Sequence, residues 1–214
     1  MNKMSFLTGL FILFTGLLIS SCNNKGEIGS IQIGDQIWMA KNLDVSHFSN
    51  GDPIPQITDD AEWEVAGSRG EPAWCYYLND PSYGKKYGKL YNLNAVKDPR
   101  GLAPEGWSIP TEQQWKELTD FLGGEDEAGN KLKSTRGWKD NGNGNNESGF
   151  SALPGGNRNA DGSFWFEGEY AYWWTSNLVG GHSARTRFIS FDSNTVESGG
   201  GFGLSGLSIR CVKD

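Results

Sequence analysis

The sequence predicts an α+β fold, with two helices in the first half of the chain followed by short strands and long loops. Three observations support this prediction. A capped amphipathic segment begins at residue 111, short aromatic runs of strand character follow residue 148, and 30 of the 214 residues are glycine. The 11 Phe, 9 Trp and 7 Tyr supply enough apolar surface for the core of one domain.

The charge balance argues against nucleic acid as a partner. The chain carries 19 Lys and Arg against 26 Asp and Glu, which gives a formal charge of −7. It contains no basic run that would neutralise phosphates.

The N-terminus predicts an exported lipoprotein. Residues 1–21 have the character of a secretory signal peptide, with Lys3 before an apolar run at 6–19 that is shorter than the ~20 residues of a membrane span. The run ends in LISSC, which resembles a bacterial lipoprotein box and marks Cys22 for lipidation. An ordinary signal peptide with an incidental cysteine is the alternative. We therefore expect a lipid anchor in the bacterial cell envelope, in the outer membrane, with a tether at 22–29 and a single domain at 30–214.

The elements of that domain begin with a hairpin. Residues 30–39 alternate around Gly34-Asp35, a pair typical of a type II′ turn. Prolines and glycines in residues 44–72 predict an irregular surface excursion. Residues 87–96 are then expected to form a short helix, closed by Asp98-Pro99.

The second helix has the strongest signal. Thr111 and Gln114 have the spacing of a capping box, and Gly123 ends the pattern. Its apolar stripe consists of Trp115, Leu118 and Leu122, which we expect in the core. Beyond it, strands are predicted at 149–153, 163–166, 171–176, 186–191 and 207–212.

Two cysteines remain besides Cys22. The alternation in LSIRCV points Leu207, Ile209 and Cys211 to one face, and Cys75 lies in an equally strand-like run, AWCYYL. An exported protein occupies an oxidising compartment, so a buried Cys75–Cys211 disulfide is expected. The alternative, a reactive thiol, lacks a histidine near either cysteine in the sequence.

No catalytic motif with the right context is present, so no cofactor is predicted. The G-x-G-x-x-G at 201–206 precedes a strand instead of opening a helix, and neither zinc-ligand spacing nor a G-x-S-x-G elbow occurs. The oxygen-rich run DNGNGNNE, from Asp140 to Glu147, is either a solvated turn or a weak metal site. Carboxylate pairs that meet only in space leave an enzymatic activity open.

Crowded aromatic residues are the remaining candidates for ligand contact. The adjacent Trp173 and Trp174 must face opposite sides of a strand, so one is expected in the core and the other is free to be exposed. Exposed rings of this kind bind sugars or proteins, whereas rings packed under loops are the alternative. The candidates are Trp138, Trp165, Trp173 and Trp174, at least one of which we expect to be exposed.

Eight segments resemble, in order, the Fibrobacter succinogenes major paralogous domain, a family of exported and often lipid-anchored bacterial proteins. They are IGDQIWMAKNL (33–43), WCYYLND (74–80), YGKLYNLNAV (87–96), GLAPEGWSIPTEQQWKELTDFLGG (101–124), KLKSTRGW (131–138), GFSALPGGNR (149–158), YWWTSN (172–177) and LSIRCVKD (207–214). The resemblance covers most of the predicted domain. It implies no specific activity, because the family is known chiefly as a domain of unassigned function.

A more distant similarity concerns the fold. The run at 106–118 resembles formylglycine-generating enzymes, whose C-type-lectin-like fold has two helices, a short-stranded irregular antiparallel sheet and paired terminal strands. The resemblance implies that fold for this chain. It does not imply the oxidase chemistry, because the pair of reactive cysteines is missing, nor the calcium-dependent sugar site, because the lectin triplets Glu-Pro-Asn and Trp-Asn-Asp are absent.

These observations favour a non-catalytic binding or adhesion module, held to a membrane by its N-terminal lipid and contacting a glycan or an envelope protein. An enzyme acting on extracellular polymer and a structural subunit of a surface assembly are the alternatives.

Overall fold

The computed structural model describes residues 29–181, 183–200 and 203–214. The predicted signal peptide and Cys22 lie outside these residues, as does the tether apart from its last residue. Within them no helix is long and apolar enough to cross a membrane.

The described residues confirm a mixed α+β fold, with more helices than the two predicted. The α-helices are Asp60–Arg69 (α1), Pro81–Tyr87 (α2), Leu93–Val96 (α3), Glu112–Phe121 (α4) and Glu125–Leu132 (α5). The strands are Ser30–Ile33 (β1), Gln36–Met39 (β2), Trp74–Cys75 (β3), Leu90–Asn92 (β4), Trp107–Ser108 (β5), Gly155–Arg158 (β6), Phe164–Glu167 (β7), Tyr170–Leu178 (β8), Ala184–Ser190 (β9), Glu197–Gly199 (β10), Gly206–Leu207 (β11) and Val212–Lys213 (β12).

The smaller sheet joins the two ends of the domain. Its order is β1-β2-β12-β5, and Trp38 of β2 lies opposite both Ile31 and Val212. The predicted hairpin is confirmed: Gly34 has φ +58°, which the first turn position requires.

The larger sheet carries most of the second half of the chain. Its order is β10-β9-β8-β6-β11-β4-β3, with β7 pairing to β6 outside this path. Most pairs are antiparallel as predicted, but β6 and β8 are parallel, so the sheet is mixed. The stretch 149–153, predicted as a strand, forms only one bridge, between Ala152 and Lys133.

Helix α4 agrees closely with its sequence signal. Thr111 Oγ1 accepts from the Gln114 backbone N–H, and the Gln114 side chain accepts from the Thr111 N–H, which completes the capping box. Trp115 is fully buried and its ring contacts those of Trp38, Phe150 and Trp173. This cluster forms the first core, between α4, α5 and the sheets.

The predicted irregular excursion at 44–72 contains helix α1. Asp59 caps it by accepting from the Glu62 N–H, and Gly70 ends it in the left-handed conformation. Its Trp63 is buried in a separate core cluster. The predicted helix at 87–96 is instead strand β4 followed by the single turn of α3, because Leu90 and Tyr91 pair with β3.

The predicted Cys75–Cys211 disulfide is not formed: both residues are buried free thiols. Strand alternation explains why. Trp74 faces the cluster that contains Cys211, so its neighbour Cys75 faces the opposite side of the sheet, in the cluster of Trp63. Burial raises the pKa of each thiol to about 12.

Candidate functional site

The clearest surface feature is a group of aromatic rings on strands β7, β8 and β9. We call it the aromatic face. It consists of Trp165, Phe166, Tyr170, Tyr172 and Phe188. Trp165 is 52% exposed and Phe166 39% exposed, and both are among the large hydrophobic residues exposed in the described chain.

The rings of the aromatic face form a continuous series. The ring centroids of Trp165 and Phe166 are 5.9 Å apart, and those of Phe166 and Tyr170 are 5.2 Å apart. Tyr170 stacks on Tyr172 at 5.4 Å, and Tyr172 lies 5.6 Å from Phe188, its partner across the strand pair. These spacings are those of favourable aromatic pairs, so each ring restrains the next.

The larger sheet holds the buried end of the aromatic face in position. Tyr172 is buried and belongs, with Trp174, to the core cluster that contains Cys211, against which Tyr170 and Phe188 also pack. Burial and the neighbouring Tyr170 raise the pKa of Tyr172, so its phenol stays neutral. The aromatic face is therefore an outward continuation of the core.

An unusual backbone conformation orients Phe166. Its φ is +68°, in the left-handed region that a bulky residue seldom adopts. Opposite it on β6 stands Gly156, also with positive φ, where a Cβ would lie 2.2 Å from the carbonyl oxygen of Trp165. This pair breaks the usual alternation of β7, so the adjacent Trp165 and Phe166 are both exposed.

Hydrogen bonds hold the exposed end of the aromatic face, at Trp165. The Trp165 indole donates to Ser163 Oγ at 2.9 Å, and Ser163 Oγ donates to Asp161 Oδ1 at 2.6 Å. The bonds from Ser163 lower the pKa of Asp161 and keep it ionised. A polar edge thus borders the exposed indole.

The chain matches the model of one protein family. The model of the Fibrobacter succinogenes major domain matches residues 31–213, almost the whole of the described domain. The chain belongs to the Fibrobacter succinogenes major domain family. No curated protein and no solved structure matches it significantly. The distant similarity to formylglycine-generating enzymes therefore stays a prediction.

Of the four tryptophans predicted to contact ligand in this family member, only Trp165 is exposed. Trp173 and Trp174 do face opposite sides of β8, but both are buried because both sides of the sheet are covered. Their indoles donate to Asn42 Oδ1 and to the Tyr91 carbonyl oxygen. Trp138 is buried as well, so these three rings belong to the scaffold.

The remaining candidates do not converge on a catalytic or metal site. Asp140 and Glu147 are both exposed, and no group of three or more His, Cys, Asp or Glu that could hold a metal ion occurs in the described part of the chain. Asp140 is also near the Lys139 ammonium, whose salt bridge goes to Glu169 at 2.7 Å.

Four members of the aromatic face were not among the residues predicted to contact ligand: Phe166, Tyr170, Tyr172 and Phe188. Tyr170 is two residues before Tyr172, so strand alternation alone places it on the same side. Phe166 and Phe188 could not be found in this way, because one depends on a left-handed backbone and the other on the register between β8 and β9.

Proposed function

We propose that the chain is a non-catalytic binding module whose aromatic face contacts a glycan. The observation that carries this proposal is an exposed tryptophan held rigidly, with a phenylalanine beside it and a polar edge formed by Ser163 and Asp161. Sugar rings stack their apolar faces on such indoles while their hydroxyl groups bond to polar neighbours.

The size of the surface favours a glycan over a protein partner. Only two of the five rings are exposed, and one aromatic side chain buries about 150–250 Å² at most. A stable protein interface buries about 800 Å² on each partner. A short sugar segment needs much less area.

A glycan array tests the proposal with the full chain in a mild nonionic detergent. We expect Trp165→Ala to weaken binding by about 1–3 kcal/mol, as at a contact hot spot. Phe121→Ala is the matched control, because Phe121 is 64% exposed on α4 and makes no ring contact with the aromatic face. Equal binding by both variants would rule out the aromatic face, and consumption of the glycan would point to an enzyme.

We also propose that Cys22 is lipidated and anchors the domain in the bacterial cell envelope, at the outer membrane. The LISSC sequence after a short apolar run supports this proposal. Cys22→Ala is expected to abolish incorporation of labelled palmitate and to release or mislocalise the protein. Palmitate that still labels the variant would contradict it.

A C-type-lectin-like arrangement is the finer fold that we propose. Its support is the pairing of strand β2 near the N-terminus with β12 at the C-terminus, together with two ten-residue helices, α1 and α4. An experimental structure compared with lectin domains tests it.

A further inference from the structure

A cleft of about 640 Å³ lies between the chain that follows β2, helix α2 and the segment 149–153. This volume is within the range of small-ligand sites. Its charged lining side chains are Lys41, Asp44, Lys85, Lys86, Arg136 and Arg210. We call it the cationic cleft.

Most of the positive charge in the cationic cleft is not compensated. Asp44 is already paired with Lys89, whose Nζ lies 2.6 Å from Asp44 Oδ1, and Lys86 is paired with Glu167 at 3.4 Å. The other cations make no salt bridge to any described residue; they are Lys41, Lys85, Arg136 and Arg210. This concentration of positive charge occurs in a chain of net charge −7.

Arg210 is the most unusual of these residues, because it is only 2% exposed. Its Nε donates to Asn42 Oδ1, and its Nη1 donates to the carbonyl oxygens of Met39 and Phe150. Nη2 has no hydrogen-bond acceptor among the described residues. Burial lowers the pKa of Arg210.

The other two buried arginines of the described chain differ in this respect. Arg158 donates to Asp60 as well as to backbone carbonyls, and Arg187 donates to Glu112 and Glu125. A buried guanidinium without a carboxylate is costly unless an anion completes its surroundings. Arg210, which lines the cleft, has no carboxylate partner among the described residues.

The walls of the cleft hold Arg210 in place. Asn42 Oδ1 accepts from Trp173 Nε1 as well as from Arg210 Nε, and Asn42 Nδ2 donates to the Tyr87 carbonyl oxygen. Ser151, which also lines the cleft, has φ +56°, a left-handed conformation held by a bond from its N–H to Asn146 Oδ1. Strained residues of this kind concentrate at binding sites.

We propose that the cationic cleft binds a small ligand through a carboxylate, sulfate or phosphate group, whose oxygen accepts from Arg210 Nη2. Lys41 and Arg136 at the mouth of the cleft attract and retain the same group. This inference does not depend on the proposed function, because the cleft and the aromatic face share no residue.

Four probes that differ only at one carbon test the proposal: galacturonate, galactose 6-sulfate, galactose 6-phosphate and neutral galactose. The full chain in a mild nonionic detergent is titrated with each probe by calorimetry at low salt. At least one anionic probe is expected to bind about tenfold or more tightly than galactose, and added salt should weaken it. The anionic probe that binds most tightly identifies which group, carboxylate, sulfate or phosphate, the cleft prefers.

Variants separate the cleft from general surface charge. Arg210→Gln is expected to lose at least about tenfold in affinity for the anionic probe. Because this buried change risks misfolding, Lys41→Gln and Arg136→Gln provide a second test, each with about a threefold loss. Arg185→Gln, an exposed arginine on β9, is the matched control and should bind like the unchanged chain.

Three results would overturn the proposal. The first is that no anionic probe binds more tightly than galactose. The second is that Lys41→Gln and Arg136→Gln both bind like the unchanged chain. The third is that Arg185→Gln weakens binding as much as Arg136→Gln, which would indicate nonspecific attraction.

Discussion

Individual tryptophans in this domain should differ in how much free energy of unfolding is lost when they are replaced by alanine. Trp173 is fully buried and its ring contacts those of Trp115 and Phe150, so Trp173→Ala leaves a large cavity and is expected to destabilise by about 3–5 kcal/mol. Trp165→Ala removes a half-exposed ring and should cost less than about 1 kcal/mol. Urea denaturation of the two variants measures both values. Equal losses would mean that Trp165 is also part of the scaffold.

The two cysteines give a second prediction for single residues. Because Cys75 and Cys211 face opposite sides of the sheet and their pKa values are raised to about 12, neither thiol should react in the native protein at neutral pH. After unfolding without reductant, both should be alkylated, which peptide mass mapping detects. A disulfide-linked peptide pair would contradict the structure.

For single residues, the sequence predicted which side chains are buried better than it predicted which residues they contact. Alternation in LSIRCV correctly placed Leu207, Ile209 and Cys211 in the core. It could not show that Arg210, on the other face of the same run, is buried too, because the cover there comes from Phe150 and Asn42, distant in sequence. The disulfide was predicted wrongly for the same reason. Strand alternation shows on which side of its own strand a cysteine lies, but it does not show which residues of other strands lie on that side.

Among the elements, helix α4 depends on its N-terminal cap. Thr111→Ala removes the acceptor for the Gln114 N–H and should destabilise the protein by about 0.5–2 kcal/mol. Thr111→Ser keeps the hydroxyl and is the control, expected to stay close to the unchanged chain. Urea midpoints measure the difference. Equal losses in the two variants would show that the methyl group, and not the cap, matters.

Helix α5 was missed in the sequence because a glycine stands in its middle. Gly129 has low helix propensity, but its N–H donates to the Asn194 carbonyl oxygen at 2.7 Å, and a Cβ there would lie 2.3 Å from that oxygen. A close backbone contact therefore requires the glycine. Such a contact, formed across 65 residues (194 − 129), has no signal in the local sequence.

This contact reverses the usual effect of replacing a helix glycine with alanine. In an open helix the change stabilises by up to about 1 kcal/mol. Gly129→Ala should instead destabilise, because the backbone around Asn194 must shift. Gly67→Ala in α1 is the matched control, since the nearest atom there is a flexible Leu204 methyl group at 3.3 Å and the change should be close to neutral. Thermal melting compares them, and a stabilised Gly129→Ala would contradict the predicted clash.

On the scale of the whole molecule, pairings between distant segments determine the fold. Strand β12 at the C-terminus lies between β2 and β5, and β11 lies between β4 and β6. The sequence predicted β2 as part of a hairpin, but it joined β11 and β12 in one strand at 207–212, predicted a helix over β4 and did not predict β5 or β6. The strand order could not be predicted either, because two-residue strands such as β11 and β12 carry too few residues to specify a partner. Long-range side-chain bonds must supply part of that specificity.

Arg158 is the clearest such bond. From β6 it donates to the carbonyl oxygens of Ile57, Thr58 and Asp59, about one hundred residues earlier, and its guanidinium lies 4.6 Å from the Trp63 ring. It also pairs with Asp60 at 2.9 Å, but the Asp60 side chain is 65% exposed. The backbone bonds should therefore contribute more to stability than the ion pair, because exposed ion pairs contribute little.

Two substitutions separate the contributions of Arg158. Arg158→Met leaves the carbonyl oxygens at 57–59 without their donors and is expected to destabilise by about 1–3 kcal/mol, the penalty for polar groups that lose their hydrogen-bond partner. Asp60→Asn removes only the exposed charge and should cost less than about 1 kcal/mol. Urea denaturation measures both, and limited proteolysis should show earlier cleavage near residues 57–60 in Arg158→Met alone. If Asp60→Asn destabilised as much as Arg158→Met, the ion pair, and not the set of backbone bonds, would join β6 to the start of α1.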